Sequence, residues 1–174
     1  MKKILTQYGV CALAIALMVP LAQAQPAQGP EPKFNSNADD LAKIRGVLEE
    51  FRQDIIRKDG PALTKLVLNP NVLFHHINTQ EKIDATRKYN SQFDGIGPSE
   101  LDGFAQFLAT TKDKVEETVH NIEIRQDGPL ALVTFNYDFV DNDKVTNSGV
   151  EHWQMCKVDG QWKILSVVWT VYSK

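Results

Sequence analysis

The stretch LALVTFNYDFVDNDKVTNSGVEHWQMCKVDGQWKILSVVWTVY, residues 130–172, decides the fold. It holds three apolar-rich runs, Leu130–Val140, Val145–Val158 and Gln161–Tyr172, which read as strands. Asp141-Asn142-Asp143 and Asp159-Gly160 break them, and Asp-Gly between strands favours a two-residue hairpin turn. Working upstream, Asp127-Gly128-Pro129 separates Leu130 from a fourth run, Lys114–Arg125. The last third of the chain is therefore an antiparallel meander.

Turn length sets register, and directly opposed residues share a face. A two-residue Asp159-Gly160 turn sets Val158 opposite Gln161, His152 opposite Val167 and Val150 opposite Trp169. A four-residue loop at Asp141–Lys144 sets Phe135 opposite Val150. Another at Gln126–Pro129 sets Ile122 opposite Val133 and His120 opposite Phe135. Thr118, His120, Val133, Phe135, Tyr137, Val150, His152, Val167 and Trp169 then share the more apolar face, the expected core face. Glu117, Asp138, Glu151, Trp153, Met155 and Trp162 fall on the other. Trp153, Met155 and Trp162 make an apolar patch that a solvated face would not carry. A homodimer through this outer face is expected to cover it.

Upstream of the meander the period changes. Leu41, Ile44, Leu48, Phe51 and Ile55 are spaced by three and four, one stripe of a helix. Ser36 or Asn37 caps its start and Gly60 fits its stop. Pro61 opens a short second helix with Leu63, Leu66 and Val67 inward. After Asn69-Pro70-Asn71, the run Val72–Ile77 reads as a strand. Asn78–Gly97 is polar, a loop with a helical turn. Ser99-Glu100-Leu101-Asp102 resembles a capping box, and Leu101, Phe104, Phe107 and Leu108 form the helical face after it. Helices first and a meander afterwards predict an α+β fold with the helices packed on one sheet face.

The start of the chain has a different character. Lys2 and Lys3 precede an uncharged apolar run, Tyr8–Leu21, and Ala22-Gln23-Ala24 follows with small residues at its first and last positions. That is the layout of a secretory signal peptide, residues 1–24. The apolar run is shorter than the ~20 residues that span a bilayer. An exported protein is expected, periplasmic or secreted, with no membrane attachment after cleavage. Residues 25–37, with Pro26, Gly29, Pro30 and Pro32, read as a flexible tether, and residues 38–174 as the domain. The full chain has 174 residues, 19 Lys+Arg against 22 Asp+Glu and a net charge of −3, without a basic footprint for nucleic acid. Removing 24 residues, two of them lysines, leaves 150 residues at a net charge of −5. It also leaves one cysteine, Cys156, which has no internal disulfide partner and is expected to be buried. A domain of this size buries roughly 70% of its unfolded surface, enough for a core without staples.

Several segments together carry a resemblance. Arg57-Lys58-Asp59-Gly60 closes a long amphipathic helix, Ala62-Leu63-Thr64-Lys65-Leu66 follows, and Asn69-Pro70-Asn71-Val72-Leu73-Phe74-His75 leads into a strand. The chain ends in Gly149-Val150-Glu151-His152-Trp153 and Asp159-Gly160-Gln161-Trp162-Lys163-Ile164. Over residues 38–172 this resembles the nuclear transport factor 2-like superfamily, especially its SnoaL-like members. The resemblance implies a cone-shaped α+β fold, with N-terminal helices in the concave face of a curved, mainly antiparallel sheet around a cavity, often in a dimer. The superfamily includes isomerases, dehydratases, cyclases and binding domains without catalysis, so the fold does not set the function. Scytalone dehydratase-like enzymes have an Asp near the end of the first helix, paired with a His. The matching position here is Ile56, so that dyad is absent. The position of the ketosteroid isomerase base matches His76, with Tyr137 on the cavity face.

His75 and His76 point to opposite faces of one strand, and His76, with Phe74, is assigned to the cavity. His76 and His152 are the candidate bases, since histidine titrates near neutral pH. Phe51, Phe74, Phe104, Phe107, His120, Phe135, Tyr137 and Trp169 are the expected ligand-binding set: aromatics with a few inward polar groups. The expected register puts the backbones of His120 and His152 ~12 Å apart, so no metal site is expected. No Gly-rich phosphate loop or serine-hydrolase context is present, and no cofactor is expected. The leading expectation is an exported SnoaL-like domain that binds a small, largely apolar ligand. The alternatives are an isomerase-, dehydratase- or cyclase-type enzyme with a cavity histidine as base, and a protein-interaction domain whose cone is filled.

Overall fold

The computed structural model of the protein describes residues 34–97 and 101–174. The signal-peptide segment, most of the tether and the Ser99–Glu100 part of the capping box lie outside the described residues. Helix α1, Ala38–Arg57, starts at Asn37, whose side chain accepts a hydrogen bond from the Asp40 amide. It ends at Lys58 in the left-handed conformation. Ile44, Leu48, Phe51 and Ile55 are buried along it, as the apolar stripe requires. Helix α2, Gly60–Leu63, is capped by Asp59. A β-carbon on Gly60 would lie 2.2 Å from the Ala105 carbonyl oxygen, so only glycine lets α2 approach helix α4, Leu101–Thr110. Between them come strand β1, Leu73–Ile77, and helix α3, Gln80–Arg87, capped by Thr79. Helix α3 buries no residue and so shows no apolar stripe in the sequence. No helix among the described residues is long and apolar enough to cross a membrane.

The long strands are β2 (Val115–Asp127), β3 (Leu130–Asp141), β4 (Lys144–Val158) and β5 (Gln161–Thr170), with a short β6 (Tyr172–Ser173). They form a six-stranded curved sheet in the order β1-β5-β4-β3-β2, with β6 paired to β4. The β1–β5 pair is parallel and the others antiparallel.

All three hairpins close through two-residue turns. Asp159 and Gly160 have φ of 49° and 77°, and Asn142 and Asp143 have 49° and 63°, the positive values that primed turns require. Val158 pairs with Gln161 and Val140 with Val145, as expected from the sequence. The third turn, Gly128-Pro129, is two residues shorter than the expected loop, which keeps every face in place. What changes the faces is three bulges. In β2 the register shifts between His120 and Glu123, where Asn121 takes a φ of 55°. In β4 it shifts at Thr146, between the pairs Val140–Val145 and Phe139–Asn147. In β5 it shifts at Leu165, between the pairs Met155–Ile164 and Gln154–Ser166. Each extra residue flips the strand beyond it to the other face.

The expected faces are corrected accordingly. Phe135 pairs with Glu151, not Val150, and Glu151 pairs with Trp169. Trp153, Met155, Trp162 and Ile164 are buried core residues, not an outer patch, so the observation behind a dimer through that patch is gone. His120 and His152 are exposed on the far face. Cys156 is half-buried, a neighbour of the exposed Leu130 in the pairing of β4 with β3.

A buried polar network ties α1 to the terminal hairpin. Asp40 accepts from the Trp162 indole N–H at 3.0 Å and the Asn37 amide at 2.8 Å, and pairs with Lys157 Nζ at 2.7 Å. The hydrogen bonds from Lys157, Asn37 and Trp162 hold its carboxyl well below the usual carboxylate range. A depressed pKa in the folded state stabilises above the unfolded value and is lost as pH falls. Asp40→Asn should therefore lower the melting temperature at pH 7 and narrow the gap to wild type below about pH 3.9. An equal gap at pH 7 and pH 2.5 in thermal unfolding would contradict this role.

Candidate active site

A cavity of about 420 Å³ lies between the helices and the concave sheet face. Phe51 enters it from α1, Phe104 and Phe107 from α4, and Phe74 and His76 from β1. The sheet supplies Glu117, Tyr137, Phe139, Asn147 and Glu151, with Trp169 and Val171 from the end of the chain. Parallel pairing sets Phe74 beside Val167 and His76 beside Trp169, which turns both β1 side chains inward. The Phe104 ring stacks at 6.4 Å on Phe51, 6.2 Å on Phe74 and 6.2 Å on Phe107, and meets Phe139 edge-on at 6.3 Å. Phe74 and His76 lie 5.0 Å and 5.8 Å from Trp169. Phe107 and Gly103 are exposed on one side and line the cavity on the other, so its mouth is at α4.

His76 is held where the sequence places it. A β-carbon on Gly97 would fall 2.2 Å from the His76 ring, and the Gly97 amide donates to the His76 carbonyl at 2.9 Å. Residue 97 must be glycine for the ring to lie there. The other expected histidines are elsewhere. His152 Nδ1 lies 3.1 Å from Thr134 Oγ1 on the exposed face, and His120 is also outside the cavity. Phe135 is buried, but it packs edge-on against Trp153 at 5.3 Å and does not line the cavity. Ile56 is 40% exposed, so the helix-borne acid of the dehydratase pattern has no counterpart there.

Among the described residues, the acids of the cavity are Glu117 and Glu151, which strand alternation with no bulges places on the outer face. They are 4% and 5% exposed. Glu151 accepts from the Trp153 indole N–H at 2.6 Å, while Oε1 of Glu117 is buried with no hydrogen-bond partner. Burial pushes the Glu117 carboxyl well above the usual range, the charge of Glu151 adds to this, and Arg52 opposes it. Burial pushes Glu151 up to about 7 against the indole bond. Both carboxyls therefore hold their protons more tightly than a free glutamate does, and they titrate as a pair. Tyr137 donates to the Thr170 carbonyl at 3.0 Å, and burial together with both glutamates raises its hydroxyl pKa. Chemically, the site combines an aromatic wall with two carboxyl groups poised to give or take a proton. Among the described residues, no group of three or more His, Cys, Asp or Glu is arranged to hold a metal ion.

No protein-family model matches the chain, and no curated protein matches it. Solved structures do. A cystatin-like-fold protein of unknown function from Nostoc punctiforme superposes with a TM-score of 0.57 at 16% identity, covering 78% of this chain and 93% of that one. An NTF2-like protein of unknown function from Pseudomonas putida gives 0.58 at 11%, covering 77% and 87%. A candidate dehydratase of the NTF2-like family from Streptomyces avermitilis gives 0.55 at 15%, covering 79% and 99%. The helices in a curved, mostly antiparallel sheet are thus a nuclear transport factor 2-like α+β cone.

Proposed function

We propose that the protein is an exported SnoaL-like domain that binds a small, largely apolar ligand in its cone. The observation that supports this most directly is the cavity of about 420 Å³ with its aromatic lining, a volume within the range of small-molecule sites. A protein-interaction domain with a filled cone has no need of such space. Export rests on the three-part layout of residues 1–24.

Gly103 offers the test. It lines the cavity, and a β-carbon there meets nothing within 4 Å. Gly103→Leu should keep the fold, since leucine favours a helix by roughly 0.8 kcal/mol over glycine, while it narrows the mouth. Native mass spectrometry of the purified protein should show a bound molecule in wild type and none in Gly103→Leu. A wild-type protein of bare mass that also leaves Trp169 fluorescence unchanged with apolar probes would defeat the reading.

A second reading, an isomerase- or dehydratase-type enzyme, is favoured by Glu151, which burial pushes up to about 7, beside a second carboxyl that burial also pushes up. In that case the cavity carboxyls move the proton, and His76 lines the site with them.

A further inference from the structure

We infer that the cavity selects an organic ammonium ion: an apolar ligand with one amine or quaternary nitrogen, its charge seated at Glu117 and Glu151. The inference rests on the ligand-binding reading and names the chemistry of that ligand. Three observations carry it. The first is an orphaned acceptor: Glu117 is 4% exposed and lines the cavity, and its Oε1 has no partner. A neutral hydrocarbon would leave that oxygen unpaired and dry, which is unfavourable. An anion would meet two acids.

The second observation concerns counter-ions. Among the described residues, neither lysine nor arginine lines the cavity, and neither glutamate has an ion pair with them. The guanidinium whose charge reaches Glu117, Arg52, gives Nε to the Glu117 backbone carbonyl at 2.9 Å and Nη1 to Glu49 at 2.7 Å. The third is the wall itself. Phe51, Phe74, Phe104, Phe107, Phe139 and Trp169 present aromatic rings around the acids, and such faces attract a desolvated cation. Tyr137 adds a ring, with its hydroxyl already committed to Thr170.

The upward shift of both carboxyls fits this arrangement, because burial without a counter-charge makes each hold its proton more tightly than a free glutamate does. Binding a cation then expels protons, so affinity should rise with pH through the neutral range. Among the described residues, the other charged or titratable groups at the pair are His76 from β1, Arg52 from α1 and Tyr137 from β3. Helix α4 contributes only Gly103, Phe104 and Phe107 to the lining.

The experiment compares benzyltrimethylammonium, which does not titrate, with its uncharged isostere neopentylbenzene. Binding is read by Trp fluorescence, and by calorimetry in two buffers of different ionisation enthalpy. The expected result is a preference for the cation of at least about tenfold at pH 8, an affinity that rises several-fold from pH 6 to pH 8, and proton release on binding. The double variant Glu117→Gln, Glu151→Gln should lose the preference and the pH dependence yet still bind neopentylbenzene, which also reports an intact cavity. Equal binding of both probes to wild type would overturn the charge selection and leave the apolar-ligand reading standing. Binding of neither would overturn both. A pH dependence that persists in the double variant would overturn the role of the carboxylates.

Discussion

Replacing Trp153 with alanine should cost about 4 kcal/mol of folding stability. Trp153 is 1% exposed, meets Phe51 edge-on at 5.0 Å and Phe135 at 5.3 Å, and donates its indole N–H to Glu151. It thus joins α1 to the sheet and supports one of the two cavity acids. Alanine removes the ring and both edge-to-face contacts, leaves a void, and orphans an acceptor. Trp153→Phe should cost less, because it keeps most of the volume. Urea unfolding with an unchanged m-value would measure both. Had the strand alternation run without bulges, Trp153 would lie on the outer sheet face. Alanine there would change stability by no more than about 0.5 kcal/mol. A loss that small in the urea experiment would refute the observed register.

How much of this was legible in the sequence depends on the kind of signal. The helical stripe from Ile44 to Ile55 and the alternation Ala131, Val133, Phe135, Tyr137 reflect burial directly, and all are buried. Asp159-Gly160 announces its turn because the positive φ values limit the residues that fit there. A bulge has no comparable signature. Asn121 alone hints at one, through its tolerance of positive φ, while Thr146 and Leu165 look like ordinary strand residues. Since each bulge inverts a face, Glu117 and Glu151 moved inward and His120 and His152 outward together.

A usable signal was nevertheless present. Trp153 and Met155 share a strand face with Glu151, and an apolar surplus that large belongs to a core. Following the apolar content within β4, before counting register from the turns, would have carried Glu151 inward with its neighbours. The habit of placing acids in water hides such sites, because a buried carboxyl is stable only where the surrounding fold enforces it.

That enforcement is measurable, and Glu151→Gln should make the protein more stable, by about 3 kcal/mol at pH 8. The sign follows from the direction of the shift. Burial pushes Glu151 up to about 7 in the folded state, whereas an unfolded glutamate titrates near ~4.3. The folded state therefore holds its proton more tightly, and its stability falls as pH rises through the interval between the two values. Below about pH 4 the acid is protonated in both states and glutamine offers no pH-linked gain. Above pH 7 the wild type must keep a charge in a cavity wall beside Glu117, and glutamine need not. Glutamine also retains a carbonyl oxygen for the Trp153 indole, so the bond at 2.6 Å has an acceptor in both proteins. The gain should thus open between pH 4 and pH 7 and level off above, and at pH 8 it corresponds to a melting point higher by about 6–12 °C. Denaturant unfolding at pH 4, 6 and 8 measures the curve. A difference that does not change with pH would mean that the Glu151 carboxyl ionises as freely in the folded protein as in the unfolded chain. The fold tolerates this cost at two positions that both face the same cavity, although isosteric amides would relieve it. Stability is therefore not what the carboxyls supply, which is the pattern the proposed ligand-binding role of the cone requires.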